Sequence, residues 1–94
     1  MARSRSAKHA RVVLNLAGKS PAIEESENVR SVTEVDHKSL VVFFGTPFGD
    51  ELYRCDVIPS EPVGFDIATR TKQGVGIHLA APWPRKIKIV CQHI

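Results

Sequence analysis

The residues best suited to chemistry in this sequence surround its only tryptophan. Trp83 lies between Pro82 and Pro84, and three cations follow it, namely Arg85, Lys86 and Lys88. Because prolines restrict the backbone, the indole ring is expected on a stiff loop beside positive charge. Single-stranded nucleic acids and nucleotides are recognised in this way, since bases stack on an aromatic ring while basic groups attract phosphates. A protein-interface hot spot has a similar composition, and a third alternative is that Trp83 folds back to plug the open end of a barrel.

Charge is distributed unevenly along the chain. Residues 1–19 carry five bases and no acid, residues 20–69 carry three bases and ten acids, and residues 70–94 carry five bases and no acid, which gives +5, −7 and +5. If the two basic ends meet on one face, Arg70 and Lys72 add to an anion-binding surface, with Arg3 and Arg5 as auxiliary charge. The alternative is that the terminal strands lie beside the acidic middle strands and the charges cancel.

These features predict a small, non-catalytic binding module for an anionic partner, either a nucleic acid or a phosphate-bearing ligand. The expected ligand-binding residues are Trp83, Arg85, Lys86, Lys88, Arg70, Lys72, Arg3 and Arg5. The alternative function is protein–protein interaction or homo-oligomerisation, through Trp83, Phe48 and the apolar run at residues 40–44. No membrane partner and no cofactor are expected.

Enzymatic and metal chemistry are not predicted. No Gly-x-Ser-x-Gly motif occurs in the sequence, so the usual sign of a serine nucleophile is missing. The four histidines, His9, His37, His78 and His93, do not have the spacing of zinc ligands. His93 is expected to lie in a frayed, solvated end of the last strand. Cys55 and Cys91 alternate with apolar residues and are expected to be buried, inert thiols. Facing core positions would also bring them within disulfide reach under oxidising conditions.

The length of the chain suits one domain. Its 94 residues are 43% hydrophobic and 24% charged, which is typical of a folded globular domain. We expect a flexible basic arm at residues 1–9 and a single β domain at residues 10–94. The apolar run near the start is too short for a signal peptide or a membrane span. A cytoplasmic location is therefore expected, and an organellar transit peptide within residues 1–23 is the alternative.

Alternation of apolar and polar residues, rich in β-branched types, is the clearest structural pattern. It predicts seven strands, at residues 11–16, 29–35, 40–44, 52–58, 64–69, 74–80 and 86–92. Turn-forming residues separate these segments at intervals typical of an antiparallel sandwich or barrel. The expected fold class is all-β, or β-dominated α+β, in a small barrel or sandwich.

One segment departs from this alternation. Ser20 precedes Pro21, and Glu24 and Glu25 follow within the first turn, which is the pattern of a capped helix start. The sequence therefore predicts at most one short helix, near residues 21–27. A loop is the alternative, because Ile23 is the only apolar anchor there.

The alternation of side chains between the two faces of a strand predicts which residues enter the core. Four groups of alternating residues are expected to face inward: Val12, Leu14 and Leu16; Tyr53, Cys55 and Val57; Val75, Ile77 and Leu79; and Ile87, Ile89 and Cys91. Residues 40–44 are apolar on both faces. They therefore predict either a covered central strand or a face that meets a second copy of the chain.

The segment from Gly74 to Ile89 resembles the glycine-led strand pair of PilZ-type barrels over 16 residues. That family recognises cyclic di-GMP through an Arg-x-x-x-Arg arm and an Asp/Asn-x-Ser-x-x-Gly turn. Neither motif is intact here, because Arg3, Arg5 and Arg11 have a different spacing and the segment after Asp66 reaches no glycine until Gly74. The resemblance therefore implies a barrel type and no binding residue.

Overall fold

The protein is described from a computed structural model, which covers residues 7–18, 20–36, 39–80 and 83–93. Eight strands run through these residues, and their bounds are β1 His9–Asn15, β2 Ala22–Glu27, β3 Val29–Asp36, β4 Ser39–Phe44, β5 Tyr53–Pro59, β6 Phe65–Arg70, β7 Gly74–Leu79 and β8 Lys86–His93. All the pairings between them are antiparallel. The all-β prediction is confirmed, and each of the seven expected strands is present within about two residues of its expected bounds, the usual error of such boundaries.

The strands form two four-stranded sheets. The first sheet has the order β2-β1-β8-β5, and the second has the order β3-β4-β7-β6. Because successive side chains point to opposite sides of a strand, each sheet has an apolar face that points inward and a second face that points outward. The first and last strands lie side by side in the middle of the first sheet, where β1 pairs with β8 along its whole length.

The prediction of a short helix near residues 21–27 is wrong, because this segment forms strand β2. All six residues of β2 are exposed, so a helix here would have had no apolar face to bury, and short helices need that burial to persist. Pairing with β1 instead satisfies the backbone. The acids that suggested a helix start form cross-strand pairs, in which Arg11 Nε donates to Glu27 Oε1 at 2.9 Å and Asn15 Nδ2 donates to Glu24 Oε2 at 3.3 Å.

Asn28 forms the corner at which the chain passes from the first sheet to the second. Its φ of 55° is the left-handed conformation, which asparagine tolerates better than most residues. Its side-chain amide donates to the His9 carbonyl at 3.2 Å and to the Thr46 carbonyl at 3.0 Å, while its Oδ1 accepts the Thr46 amide at 2.6 Å. One side chain therefore joins β1, the β2–β3 corner and the turn after β4.

The core lies between the two sheets and matches the inward faces expected from the sequence. Of the twelve residues expected there, ten are buried, and Leu16 and Cys55 are half-buried against the core. Three aromatic rings fill one end, since Phe48 lies 4.5 Å from Tyr53 and 4.8 Å from Phe44 between ring centroids. Burial raises the pKa of the Tyr53 phenol, whose hydroxyl lies 2.8 Å from the Thr71 carbonyl oxygen and 2.9 Å from that of Gly74.

The apolar run at residues 40–44 forms β4, which lies between β3 and β7. Leu40, Val42 and Phe44 are buried, whereas Val41 and Phe43 are half-buried on the outward face of the second sheet. Phe48, expected as an interface residue, is only 2% exposed. It therefore belongs to the core, because the aromatic cluster encloses it, and it offers little surface to a partner.

Residues 7–9, which the sequence assigned to a flexible arm at residues 1–9, are bonded to the domain. β1 begins at His9, the Ala7 amide donates to the Pro47 carbonyl at 2.9 Å, and the Lys8 carbonyl accepts the His93 amide at 2.9 Å. These bonds attach residues 7–9 to the domain. Residues 1–6, and with them Arg3 and Arg5, lie outside the described part of the chain. Within the described ranges, no helix has the length and apolar character needed to cross a membrane.

Candidate binding surface around Trp83

Trp83 lies in the connection between β7 and β8, and its ring is half-buried against the core. Its Nε1 atom is inaccessible to solvent and has no hydrogen-bond acceptor among the residues that the structure describes. An indole normally finds an acceptor when its N–H is buried. The accessible part of this ring is therefore made of carbon atoms. One part of the ring packs against the core, and another part is exposed at the surface.

A groove runs along the exposed side of Trp83. Its walls are formed by two segments, and the lining residues include Glu61, Pro62, Val63, Trp83, Pro84 and Arg85. Its volume is about 480 Å³. A second hollow of about 410 Å³, lined by Phe65, His78 and Leu79 among others, shares Gly64 and Ala80 with it. The Ala80 amide donates to the Gly64 carbonyl at 2.8 Å, so the two residues that border both hollows are bonded to each other. The two hollows together are called the Trp83 groove.

The cations nearest to Trp83 are compensated by acids. The Arg85 amide donates to Glu61 Oε2 at 2.8 Å, and Arg85 Nε lies 3.9 Å from Glu61 Oε1. Lys86 Nζ lies 3.1 Å from Glu24 Oε1. The Ser60 hydroxyl and then the Arg85 amide lower the pKa of Glu61, and Lys86 lowers that of Glu24. Both acids are therefore charged at neutral pH, and the rim of the groove carries both signs.

Lys88 lies on the outward face of the first sheet, between Val13 of β1 and Ile58 of β5. It is exposed, and no ion pair joins it to an acid within the described ranges. Lys86 lies on the same face one alternate position away, next to Asn15. This face therefore carries two neighbouring lysines beside the Trp83 segment.

Arg70 and Lys72 are not brought to this surface. They precede Gly74 at the start of β7, whereas Trp83 follows the end of β7, and a six-residue strand spans roughly 20 Å. Arg70 Nη1 donates to the Tyr53 carbonyl at 2.7 Å, across the gap between β6 and β5. The Lys72 carbonyl accepts the Phe48 amide at 2.9 Å. Both residues therefore belong to the opposite end of the molecule, where Ala7 also enters the domain.

The alternative of internal charge cancellation describes the ion pairs well. Besides the pairs at Arg85 and Lys86, Arg11 Nε lies 2.9 Å from Glu27 Oε1 and Arg54 Nη2 lies 3.5 Å from Asp56 Oδ1. Glu24, Glu27 and Glu61 come from the acidic middle of the chain and pair with cations of the basic ends, whereas Arg54 and Asp56 both belong to the middle. The uneven distribution of charge along the sequence therefore becomes more even once the strands are paired.

The histidines form no metal site in the described ranges, which hold no group of three or more potential ligands. The expectation that His93 is frayed is wrong, since it ends β8 and its Nε2 lies 2.9 Å from Asp50 Oδ1. The Leu52 amide, with smaller contributions from His93 and Lys72, holds the pKa of Asp50 below its usual value. This pair joins residues 43 positions apart, and no spacing rule would have found it. His37 lies outside the described residues.

No protein-family model, no curated protein and no solved structure matches this chain significantly. The likeness of residues 74–89 to PilZ-type barrels therefore stays a resemblance between short segments. Glu61, Val63 and Ala80 also shape the Trp83 groove, and they are not among the binding residues expected from the sequence. The only sign of this part of the surface in the sequence was the proline-braced turn before Val63.

Proposed function

We propose that this protein is a small binding module, and that the Trp83 groove takes an extended, mostly apolar segment of a protein partner. The observation that supports this best is the groove itself, in which a tryptophan ring, two prolines and a valine line a surface continuous with the hollow at Phe65. Each part has a volume within the range of about 300 to 1,000 Å³ that is usual for ligand sites.

The chemistry of the groove suits a polypeptide better than a polyanion. Glu61 and Arg85 offer an acceptor and a donor at one end, and Asp66 and His78 line the other end. A peptide backbone carries both donors and acceptors and can use both signs. A phosphate chain would be repelled by the two acids, and the positive charge of Arg85 is already engaged by Glu61.

Trp83 and Phe65 are the expected anchor residues. Phe65 is 41% exposed, and the accessible edge of Trp83 is apolar because Nε1 is buried. Large aromatic side chains in a groove with a polar rim are the usual centres of binding energy in protein interfaces. The partner segment is therefore expected to bring apolar side chains to the groove and to leave its polar groups at the rim.

Selection from a displayed library of random peptides, with the purified protein as bait, tests this proposal. We expect enriched peptides that lose at least tenfold in affinity for Trp83→Ala and for Phe65→Ala, about 1.4 kcal/mol or more. Leu52→Ala is the matched control, because Leu52 is 65% exposed but lies outside the groove. Peptides that bind all three variants equally, or a library that yields no binder, would contradict the proposal.

An anionic partner is the second candidate function, and Lys88 is the observation that favours it. Lys88 is exposed beside Lys86 and has no acid partner among the described residues. On this alternative, Trp83, Arg85, Lys86 and Lys88 form the contact, and Arg3 and Arg5 add charge from outside the described part. Mixed single-stranded oligonucleotides titrated at two salt concentrations test it. Three phosphate contacts predict a slope of log affinity against log salt concentration of about −2, and no binding at low salt excludes this candidate.

A further inference from the structure

Cys55 and Cys91 face each other across two neighbouring strands of the first sheet. They are direct partners in the register of β5 and β8, so their side chains lie on the same face. The Cα atoms of directly opposed residues in an antiparallel pair are about 4.5 to 5.5 Å apart. Disulfides join Cα atoms about 4.4 to 6.8 Å apart. The backbone therefore already has the spacing that a disulfide needs, and both cysteines are free thiols.

The two thiols are direct neighbours across the β5–β8 strand pair but differ in access. Cys91 is 1% exposed, next to Ala10 of β1 in the interior of the first sheet. Cys55 is half-buried, on a strand at the edge of that sheet. A small reagent from solvent can therefore reach Cys55 first.

The surroundings of the pair also give the two thiols different acidities. The neighbouring Cys91 thiol, and then the Arg70 guanidinium, lower the pKa of Cys55, whereas burial and Asp56 oppose this effect. The neighbouring Cys55 thiol, together with burial, raises the pKa of Cys91. Arg70 is held in place by its bond to the Tyr53 carbonyl. Because a thiolate and not a thiol is the nucleophile, Cys55 is the expected attacking group.

We propose that Cys55 and Cys91 form a reversible dithiol–disulfide site, in which Cys55 reacts with a hydroperoxide and Cys91 resolves the product. The Cys55 thiolate attacks the peroxide O–O bond, which gives a sulfenic acid on Cys55 and releases hydroxide, or an alkoxide from an organic peroxide. The hydroxide or alkoxide released in this step takes the proton of Cys91, and the Cys91 thiolate attacks the Cys55 sulfur. The S–S bond forms as the S–O bond breaks, and hydroxide leaves. A thiol reductant reverses the change by exchange.

The proposal is independent of the function assigned to the Trp83 groove. Cys55 pairs with Cys91 near the Tyr53 end of β5, whereas the groove lies beyond the Pro59 end of the same strand. Oxidation would tie the edge strand β5 covalently to β8 in a register that the two strands already have. It is therefore expected to close without rearrangement of the sheet.

The test uses the full chain, hydrogen peroxide and a maleimide that labels free thiols, followed by intact mass measurement. We expect the untreated protein to take two labels after unfolding. The treated protein should take none, remain a monomer and lose two hydrogens in mass, and dithiothreitol should restore both labels. A treated protein that keeps both labels, or that forms disulfide-linked dimers, would overturn the proposal.

Two single variants separate the roles of the cysteines. Cys91→Ser removes the resolving thiol, so Cys55 should accumulate a sulfenic acid that a dimedone probe captures. Cys55→Ser leaves only the buried thiol, which should react with peroxide more slowly by at least tenfold. Equal rates in the two variants would remove the assignment of Cys55 as the attacking group.

Arg70→Gln tests the electrostatic part of the site, with Lys72→Gln as the matched control. We expect maleimide to label Cys55 several-fold more slowly in Arg70→Gln than in Lys72→Gln near neutral pH, because less thiolate is present. The rate at high pH, where the thiol is fully ionised, should differ little between the two variants. A reduced rate at every pH would indicate altered access and would contradict the electrostatic role.

Discussion

Replacing Trp83 with phenylalanine tests whether the indole ring is held in place despite its buried N–H. The Nε1 atom is buried and has no acceptor in the described part of the chain, and an unsatisfied buried donor costs about 1 to 3 kcal/mol. The smaller ring loses roughly 40 Å² of side-chain area, which is about 1 kcal/mol when fully buried and somewhat less for this partly exposed ring. We therefore expect Trp83→Phe to leave the free energy of unfolding unchanged or to raise it by up to about 2 kcal/mol.

The assay is urea unfolding followed by circular dichroism, because the variant lacks the only tryptophan and its fluorescence. Trp83→Ala is the companion variant. It should lower the free energy of unfolding by about 2 kcal/mol, since truncating a buried ring costs about 3 to 5 kcal/mol and removal of the unsatisfied N–H offsets part of that loss. The expected order of stability is phenylalanine, tryptophan, alanine. If Trp83→Phe is less stable than the parent by more than about 1 kcal/mol, the buried N–H must have a hydrogen-bond acceptor, which would contradict the cost assigned to it here.

Three further predictions concern the core, a close backbone approach and the surface carboxylates. Tyr53→Phe keeps the ring and removes the hydroxyl that contacts the Thr71 and Gly74 carbonyl oxygens, so urea unfolding should show a loss of about 1 to 2 kcal/mol. An unchanged midpoint would contradict this. Gly74→Ala should lose about 1 to 3 kcal/mol, because its methyl group would overlap the Val42 carbonyl oxygen, whereas Gly64→Ala meets only an ordinary contact and should change stability little. Equal losses in these two variants would contradict the steric explanation. The last prediction is acid sensitivity. Among the described residues, Glu24, Glu27, Asp50 and Glu61 have lowered pKa values, so their stabilisation is complete above the ordinary values of 4.5 and 3.8 and is lost as pH falls through the lower folded values. The melting temperature should therefore fall on acidification through that pH range. A constant melting temperature there would contradict the interactions assigned to these four carboxylates.

Alternation predicted the strands well because each inward face must be apolar for the two sheets to pack. Val12 and Leu14 on β1, and Ile87 and Ile89 on β8, follow this rule and are buried. β2 has no such constraint, since every one of its residues is exposed. Its conformation is set by the open edge of β1, and local sequence preferences pointed to a helix instead.

The candidate site was predicted only in part, because neighbours in sequence and neighbours in space differ. Arg85 follows Trp83 after one proline and lines the groove with it, and Lys86 comes next as the first residue of β8. Arg70 is separated from Trp83 by the whole length of β7 and reaches Tyr53 instead. The acids that compensate Arg85 and Lys86 come from a distant loop and from β2, and their arrival depends on how the strands are paired.

The order of apolar and polar residues was enough to determine that this chain forms antiparallel strands and which side chains enter the core, because burial of alternate side chains is a local property of each strand. The pairing of strands decided everything that joins distant segments, including the Trp83 groove, the ion pairs around it and the contact between Cys55 and Cys91. A strand of given composition can pair with several neighbours at similar local energy. Only the packing of both sheets around one core selects the arrangement in which these residues meet.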